Sequence, residues 1–275
     1  MNSYLKTKDH SVTGEEFELT YHSEFDMLIT KPQPADLEKY YQSESYISHT
    51  DSNKTLLDKI YQLVKKFSLF LKVRLIGHYA QDDRSLLDVG AGTGDFLFAA
   101  SQKGWTIAGV EPNWSARGKA SEKEINLSAD LESVMHRKYK VITLWHVLEH
   151  LPDLENQILK MMSILEEEGT IVVAVPNYKS HDAKFYKEFW AAYDVPRHLW
   201  HFSRQSIQKL FSKYGMEVVD TRPLFFDAFY VSILSEKYKA GKFGFLKGFF
   251  RGLISNIAAL FTKECSSLIY MIKKA

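Results

Sequence analysis

The sequence has one cysteine, Cys265, in 275 residues, and this scarcity excludes an internal disulfide and any zinc site built on several cysteines. It also lacks a run of about 20 apolar residues free of charge, so we predict no membrane-spanning helix. Its net charge is small, because 35 Lys or Arg oppose 34 Asp or Glu, for a sum of +1. This balance offers no overall attraction for nucleic acid. We therefore expect no DNA partner, and a cytoplasmic location, where a lone thiol stays reduced.

Charge is unevenly distributed along a chain of otherwise ordinary globular composition, with 45% hydrophobic and 14% aromatic residues. Residues 1–50 hold four Lys and nine Asp or Glu, whereas residues 236–275 hold eight Lys or Arg and two Glu. This difference predicts that the two ends are separate modules. We expect a degenerate β-ribbon extension over residues 1–50 and one main domain over residues 51–275, with a helical insertion at about 227–263.

Short β-rich segments alternate with helical patterns between these ends. The predicted strands cover residues 85–90, 106–111, 139–145, 169–176, 216–222 and 266–272, with 125–130 as a weaker candidate. Two helices have polar residues that can cap their starts, at Asp153 and Ser203, and glycines at their ends, at Gly169 and Gly215. The alternation predicts an α/β fold with a doubly wound, mostly parallel sheet.

A glycine-rich turn, LLDVGAGTGDF, follows the first of these strands and precedes a helical pattern. Gly90, Gly92 and Gly94 would let a ligand approach the backbone closely. Glu111 ends the next strand, about 20 residues farther on, where an acid binds ribose hydroxyls in nucleotide-binding units. The pattern predicts a ligand that contains a ribose.

The turn also carries acidic residues that disfavour a phosphate. Asp95 stands where the dinucleotide fingerprint requires its third glycine, beside the helix N-terminus that would hold a pyrophosphate. Asp88 and Asp95 flank the turn and favour a ligand with a cationic end, such as an ammonium or a sulfonium. S-Adenosylmethionine combines a ribose with both of these groups.

The segments LLDVGAGTGDF, GVEPN and TLWHVLEHLPD resemble three motifs of class I S-adenosylmethionine-dependent methyltransferases, of the small-molecule type that includes ubiquinone-pathway O-methyltransferases. The resemblance covers about residues 54–222. It implies a Rossmann-like sheet of seven strands whose last strand is antiparallel, and S-adenosylmethionine as the cofactor. The cofactor-binding residues that the resemblance and the turn together indicate are Asp88, Gly90, Gly92, Gly94, Glu111, Asp130, Leu131 and Trp145.

Methyl transfer to a hydroxyl requires a base, and histidine is the natural base near neutral pH. His146, His150 and His198 are the candidates, and each could instead have a structural role. His150 could bind backbone at a tight turn, and His198 could be an exposed loop residue. We expect O-methylation of a small apolar or aromatic acceptor, with the acceptor pocket built from the loop YDVPRHLWHFS.

A metal-dependent reaction is a competing hypothesis. HVLEH resembles the E-x-x-E-H metal motif of ubiquinone-pathway and small-RNA methyltransferases, but His146 replaces the first Glu. Glu149, His150 and a later His could then form a divalent site. Because the first carboxylate is missing, we predict no metal site.

Two further hypotheses concern the function of the whole chain. One is an RNA-modifying enzyme, which the charge of +1 disfavours. The other is a non-catalytic protein that binds S-adenosylmethionine or a partner. The intact glycines and Glu111 argue against a loss of cofactor binding, although they do not establish turnover.

The C-terminal insertion contains an amphipathic helix within residues 243–261. Phe249, Phe250 and Leu253 fall on one side of it, opposite Lys247 and Arg251. We expect the apolar side to pack on the protein's own sheet. A peripheral membrane contact through residues 243–261, or a lid over an apolar acceptor, is the competing interpretation. The sequence leaves the oligomeric state open.

Overall fold

The computed structural model describes residues 2–40, 56–80, 82–241 and 244–275. Its strands are β1 Asn2–Lys8, β2 Glu16–His22, β3 Met27–Lys31, β4 Ser85–Val89, β5 Thr106–Val110, β6 Tyr139–Trp145, β7 Leu165–Pro176, β8 Trp200–His201, β9 Met216–Pro223 and β10 Ser267–Lys274. Its α-helices are α1 Leu56–Ala80, α2 Asp95–Ser101, α3 Trp114–Ser121, α4 Leu154–Ile164, α5 His181–Tyr186, α6 Arg204–Ser212, α7 Phe225–Ala240 and α8 Phe245–Thr262. No helix among these residues combines the length and the apolar content needed to cross a membrane.

The strands form two sheets. One has four strands in the order β1-β2-β3-β8, and each neighbouring pair in it is antiparallel. The other has six strands in the order β5-β4-β6-β7-β10-β9, and β4 is parallel to both of its neighbours. The second sheet is mixed and mostly parallel, with flanking helices, which confirms the predicted α/β architecture.

The weakest predicted strand, residues 125–130, is reduced to one parallel bridge between Val110 and Ser128. The Glu111 amide donates to the Ser128 carbonyl and the Ser128 amide donates to the Gly109 carbonyl, both at 2.9 Å. The Asp130 carboxylate then accepts from the backbone and hydroxyl of Ser133, which turns the chain into a 3₁₀ helix. Among the described residues, the mostly parallel sheet thus has six regular strands where we expected seven.

The two predicted helix starts differ in the structure. Ser203 is the N-cap of α6, accepting from the Ser206 amide at 3.1 Å in a reciprocal capping box, as its position predicts. Asp153 precedes α4 but makes no side-chain cap, because its backbone is left-handed at φ 49°. Gly169 does not end α4, since β7 begins at Leu165 and passes through the glycine.

The chain divides into two compact units, each built from separate stretches. The ribbon unit comprises Met1–Tyr46, Leu148–Pro152 and Ala174–Tyr270. The turn unit comprises Ile47–Val147, Asp153–Val173 and Met271–Ala275 and holds the glycine-rich turn.

Asp26, in the tight turn between β2 and β3, is a polar centre of the ribbon unit. Its carboxylate accepts from Lys179 at 2.5 Å, from Ser203 at 2.6 Å and from Tyr21 at 2.9 Å. The Ser206 hydroxyl donates to its backbone carbonyl. These bonds attach the N-terminal strands to segments more than 150 residues away, because Lys179, Ser203 and Ser206 all lie far along the chain.

Helices α7 and α8 form a hairpin that is closely packed through small side chains. The side of α8 that is buried carries Gly248, Gly252, Ser255 and Ala259. A Cβ on Gly252 would come within 2.7 Å of the Ala228 carbonyl oxygen, so only glycine permits this helix spacing. The Ser255 hydroxyl donates to the buried Asp182 carboxylate at 2.6 Å and further sets which side of α8 faces inward.

The expectation that the apolar side of α8 packs on the protein's own sheet was wrong. Phe249, Phe250 and Leu253 are 41%, 57% and 39% exposed. The physical reason is the close approach of α7 and α8, which large side chains on the inner side would prevent. The small residues occupy the interface and the large ones face outward.

We predict that Gly252→Ala and Gly118→Ala change stability in opposite directions. Ala normally favours a helix over Gly by about 1 kcal/mol. At Gly118 in α3 the added Cβ has nothing within 4 Å, so the melting temperature should rise slightly. At Gly252 the Cβ meets α7 backbone, and the melting temperature should fall by several degrees. Calorimetry measures both, and equal shifts of the same sign would contradict this packing.

Candidate active site

The glycine-rich turn joins β4 to α2 through three residues in the left-handed region. Gly90, Gly92 and Gly94 have φ of 72°, 54° and 75°, where side chains other than glycine are strained. The amides of Gly90 and Ala91 both donate to the Val110 carbonyl, at 2.8 and 2.9 Å. The turn is thereby held against the carboxyl end of β5.

The three glycines serve different purposes in this turn. A Cβ on Gly90 would lie 2.4 Å from the Val147 side chain, so packing requires glycine there, and one on Gly94 would make a tight contact of 3.0 Å with Ala120. A Cβ on Gly92 would meet nothing within 4 Å. The backbone at Gly92 therefore borders open space that a ligand can enter.

Glu111 connects the turn to the segment that follows β5. One carboxylate oxygen accepts from the Gly92 amide at 2.8 Å, and the other accepts from the Asn113 amide at 2.9 Å. Asn113 in turn caps α3 by accepting from the Ala116 amide at 3.0 Å. A carboxylate has about four acceptor positions, so Glu111 is held rigidly and can still accept two further hydrogen bonds.

The segment with the predicted cofactor-binding residues Asp130 and Leu131 continues from the bridge at Ser128, beside the end of β5. Leu131 is 6% exposed and packs in the turn unit, whereas Asp130 is exposed and accepts from the Ser133 amide of the short helix after it. The bridge between Val110 and Ser128 is what brings this segment next to Glu111.

Asp88 and Asp95 are engaged within the protein. Asp88 is 3% exposed and accepts from the Thr143 hydroxyl at 2.5 Å, between the adjacent strands β4 and β6. Burial raises the pKa of Asp88 to about 7. Asp95 pairs with Lys65 at 2.7 Å and with Lys123 at 2.6 Å. The two lysines compensate Asp95, so its predicted attraction for a cationic ligand is largely cancelled.

Lys65 and Lys123 are site residues that the sequence analysis missed. They lie on α1 and after α3, and no spacing in the sequence associates either with the glycine-rich turn. Only the folded arrangement identifies them.

Trp145 is the last residue of β6, and His146 follows it directly in the turn unit. The Trp145 ring contacts Phe96 edge-on, with centroids 5.4 Å apart, and the Lys72 ammonium lies 4.4 Å from its centroid. The Trp145 Nε1–H is buried and has no hydrogen-bond partner among the described residues. His146 has a left-handed backbone at φ 57°, and such strain occurs often at functional sites.

His150 and His198 lie together in the ribbon unit, 4.5 Å apart between ring centroids. Each Nδ1–H donates to a backbone carbonyl, of Arg197 at 3.0 Å and of Ala192 at 2.9 Å respectively. Burial and the neighbouring His198 lower the pKa of His150 to about 4. His150 is therefore neutral at physiological pH, and it is a weak base.

Glu149 joins this pair, and one potential ligand atom from each of Glu149, His150 and His198 lies within 4.8 Å of the others. The structure thus assembles the three residues of the metal hypothesis. Imidazoles oriented by carbonyls, beside a carboxylate, have the donor chemistry of a divalent-cation site.

The loop expected to form an acceptor pocket has an interior position. Arg197 is 2% exposed and pairs with Asp9 at 3.0 Å and with Asp194 at 2.6 Å. Burial opposes ionisation of Asp9, but hydrogen bonds from Thr13 and Arg197 outweigh it and lower the Asp9 pKa to about 2. His201 is also buried and lies 2.9 Å from the Thr30 hydroxyl. This loop attaches the N-terminal strands to the rest of the ribbon unit.

Residues 47–221 match the family model Methyltransf_23, a methyltransferase domain, and the chain belongs to this family. The match confirms the resemblance seen in the three motifs. The protein is a class I methyltransferase that depends on S-adenosylmethionine.

Solved structures with the same fold extend over most of the chain. Magnesium protoporphyrin IX methyltransferase from Synechocystis PCC 6803, with bound S-adenosylhomocysteine, is 14% identical with a TM-score of 0.56, and the match covers 86% of this chain and 97% of that one. The cyclopropane synthase MmaA2 from Mycobacterium tuberculosis is 14% identical with a TM-score of 0.54, covering 86% and 95%. The plantazolicin methyltransferase BpumL is 18% identical with a TM-score of 0.52, covering 76% and 85%. No curated protein sequence matches this chain.

We predict that Asp88→Asn removes a pH dependence from the stability of the ligand-free protein. Because the pKa of Asp88 is raised on folding, the folded state retains a proton that the unfolded state loses, and stability falls as pH rises from about 4 to about 7. The variant should therefore gain melting temperature relative to wild type between about pH 5 and about pH 8. Exposed Asp130→Asn is the control, since this carboxyl has a lowered pKa and stays ionised over that range. Parallel curves for wild type and Asp88→Asn would contradict the burial of a titrating Asp88.

Proposed function

We propose that S-adenosylmethionine binds at the carboxyl ends of β4, β5 and β6, with its ribose hydroxyls on Glu111. The observation that carries this proposal is the Glu111 carboxylate, which two backbone amides hold in place while two acceptor positions remain. A ribose diol supplies two donors at the spacing of one carboxylate.

Three other features fit the same ligand. The open space at Gly92 lets the methionine portion approach the backbone. The residues Asp130 and Leu131, placed beside β5 by the Ser128 bridge, supply an exposed acceptor and an apolar contact for the adenine. Trp145 has a buried donor without a partner among the described residues, and a bound ligand would satisfy it.

We infer a small molecule as the methyl acceptor and oxygen as the methylated atom. Three fold neighbours support the acceptor class, since their names refer to magnesium protoporphyrin IX, to plantazolicin and to a cyclopropane. Their low identity shows the fold alone, so the inference also depends on this chain's own charge and site. The net charge of +1 favours a small molecule over RNA.

His146 is the base that this arrangement favours. S-Adenosylmethionine supplies an electrophilic methyl group, and transfer needs an aligned acceptor whose proton is removed when the acceptor is a hydroxyl. His146 follows Trp145 directly at the end of β6, where ligands bind in open α/β sheets. His150 has a pKa of about 4 and a ring already bound to backbone, so it fits a structural or ligating role better than that of a base.

Ligand calorimetry tests the cofactor site. S-Adenosylmethionine and S-adenosylhomocysteine should bind with micromolar affinity. Glu111→Gln should weaken binding by several kcal/mol at most, because hydrogen bonds to a charged group are worth roughly 1.5 to 3 kcal/mol each. Glu122→Gln, an exposed acid at the end of α3, is the matched control and should bind as wild type does. Wild-type protein that binds neither ligand would refute the proposal.

Isotope labelling tests the base. With deuterated S-adenosylmethionine and a panel of phenols, alcohols and amines, mass spectrometry should find label on a hydroxyl compound. His146→Asn keeps a residue that tolerates left-handed backbone. It should lower kcat by roughly 100-fold or more with little change in KM, as expected for loss of a general base.

A chelator provides the control for the metal hypothesis. We predict that EDTA leaves this turnover unchanged and that metal analysis of the purified protein finds less than one equivalent. If EDTA abolishes turnover and a divalent ion restores it, the Glu149, His150 and His198 cluster holds a metal and His146 is not sufficient.

In the labelling experiment, label on an amine nitrogen would contradict O-methylation.

A further inference from the structure

The outer side of α8 carries a continuous row of large apolar side chains. The most exposed of them are Leu246 at 69%, Phe250 at 57%, Ile257 at 49%, Leu260 at 57% and Phe261 at 82%. Their spacing of three, four and seven residues places them on one side of a helix. We call this row the α8 ridge. Exposed apolar surface of this continuity marks a contact site.

The fold prevents the α8 ridge from turning inward. The opposite side of the helix holds Gly248 and Gly252 against α7 backbone, where no larger side chain fits. Ser255 is bound to Asp182, which also accepts from the Trp190 indole at 2.8 Å and from Ser266 at 2.7 Å. Rotation of α8 to bury the ridge would break this buried network.

Basic residues accompany the ridge and acidic ones do not. Helix α8 contains Lys247 and Arg251 and no Asp or Glu. Lys247 and Arg251 each follow a ridge residue directly, which puts them about 100° around the helix, on the flank of the ridge.

The Arg251 guanidinium lies 3.7 Å from the Phe185 ring centroid, and Lys239 of α7 lies 5.1 Å from the same ring. Residues 225–263 hold six Lys or Arg and two acids, of which Glu236 is buried.

We propose that the α7–α8 hairpin docks on the surface of a bilayer that contains anionic phospholipids, with the α8 ridge inserted among the acyl chains and the flanking cations at the headgroups. An apolar face with basic flanks is the pattern of helices that lie in a membrane interface. A second copy of the chain is the less suitable occupant, because pairing two ridges would bring two positively charged segments together.

The test is sedimentation of the full-length protein with sucrose-loaded vesicles of phosphatidylcholine alone and of phosphatidylcholine with phosphatidylglycerol. The wild-type protein should bind the anionic vesicles, and a much smaller fraction of it should bind the neutral vesicles. The double variant Phe250→Glu with Phe261→Glu should lower binding by roughly tenfold or more, since it removes apolar area and adds negative charge. Its melting temperature should match that of wild type, because both positions are exposed.

Two further variants test whether vesicle binding depends on the α8 ridge in particular and on the positive charge beside it. Leu159→Glu changes an exposed leucine of α4, 48% accessible, and should leave vesicle binding unchanged. Lys247→Glu should reduce binding to anionic vesicles and make the remaining binding less dependent on salt, because one cation no longer faces the headgroups.

Several outcomes would overturn the proposal. One is that the wild-type protein binds neither kind of vesicle. Another is that it binds neutral and anionic vesicles equally. A dimer in light scattering that the Phe250→Glu, Phe261→Glu variant dissociates, without vesicle binding by wild type, would assign the ridge to a second copy. Cofactor calorimetry on the same preparation keeps this result separate from that for the methyltransferase site.

Discussion

The Glu111 carboxylate joins the two parts of the turn unit on which the chemistry depends. Its hydrogen bonds to the Gly92 and Asn113 amides link a left-handed turn after β4 to the start of α3 after β5. Glycines at three positive φ values make the turn possible, and the carboxylate uses half of its acceptor capacity to hold it. The remaining capacity points to a ribose. In the proposed function, the same group therefore organises the site and binds the ribose.

The charges around this turn are arranged differently from what their sequence positions suggest. Asp95 stands at the N-terminus of α2, yet two lysines neutralise it, and Asp88 is buried with a pKa of about 7. A pKa shift of this size reflects desolvation in the interior of the sheet. The site can thus approach neutrality before any ligand binds, and in the proposed function specificity comes from hydrogen bonding at Glu111 more than from long-range attraction.

The histidines show that residues grouped together in the sequence can belong to different compact units. His146 and His150 are four residues apart in WHVLEHLPD, but they belong to different units. His146 carries backbone strain at the end of β6, whereas His150 packs on His198, a residue 48 positions later. In the proposed function, His146 is the residue that suits proton transfer. His150, with Glu149 and His198, forms a cluster in which backbone carbonyls orient both imidazole rings.

Much of the fold and cofactor site could be predicted from the sequence, because each depends on local patterns. Strand and helix alternation, the glycines at Gly90 to Gly94 and the acid at Glu111 have short-range signatures, and the structure brings these residues together. The Ser203 cap is equally local. The seventh strand was overestimated, because a β-rich segment does not reveal that Asp130 turns the chain after one bridge.

Only the tertiary structure decided the compensation of Asp95, the assembly of Glu149 with His150 and His198, and the orientation of α8. Each depends on contacts between distant segments, whose partners leave no periodic signal. The amphipathic pattern of α8 identified an apolar side but could not say which side is buried. Steric fit decided that, since α7 approaches too closely for any residue larger than glycine at position 252, and the phenylalanines were left facing outward.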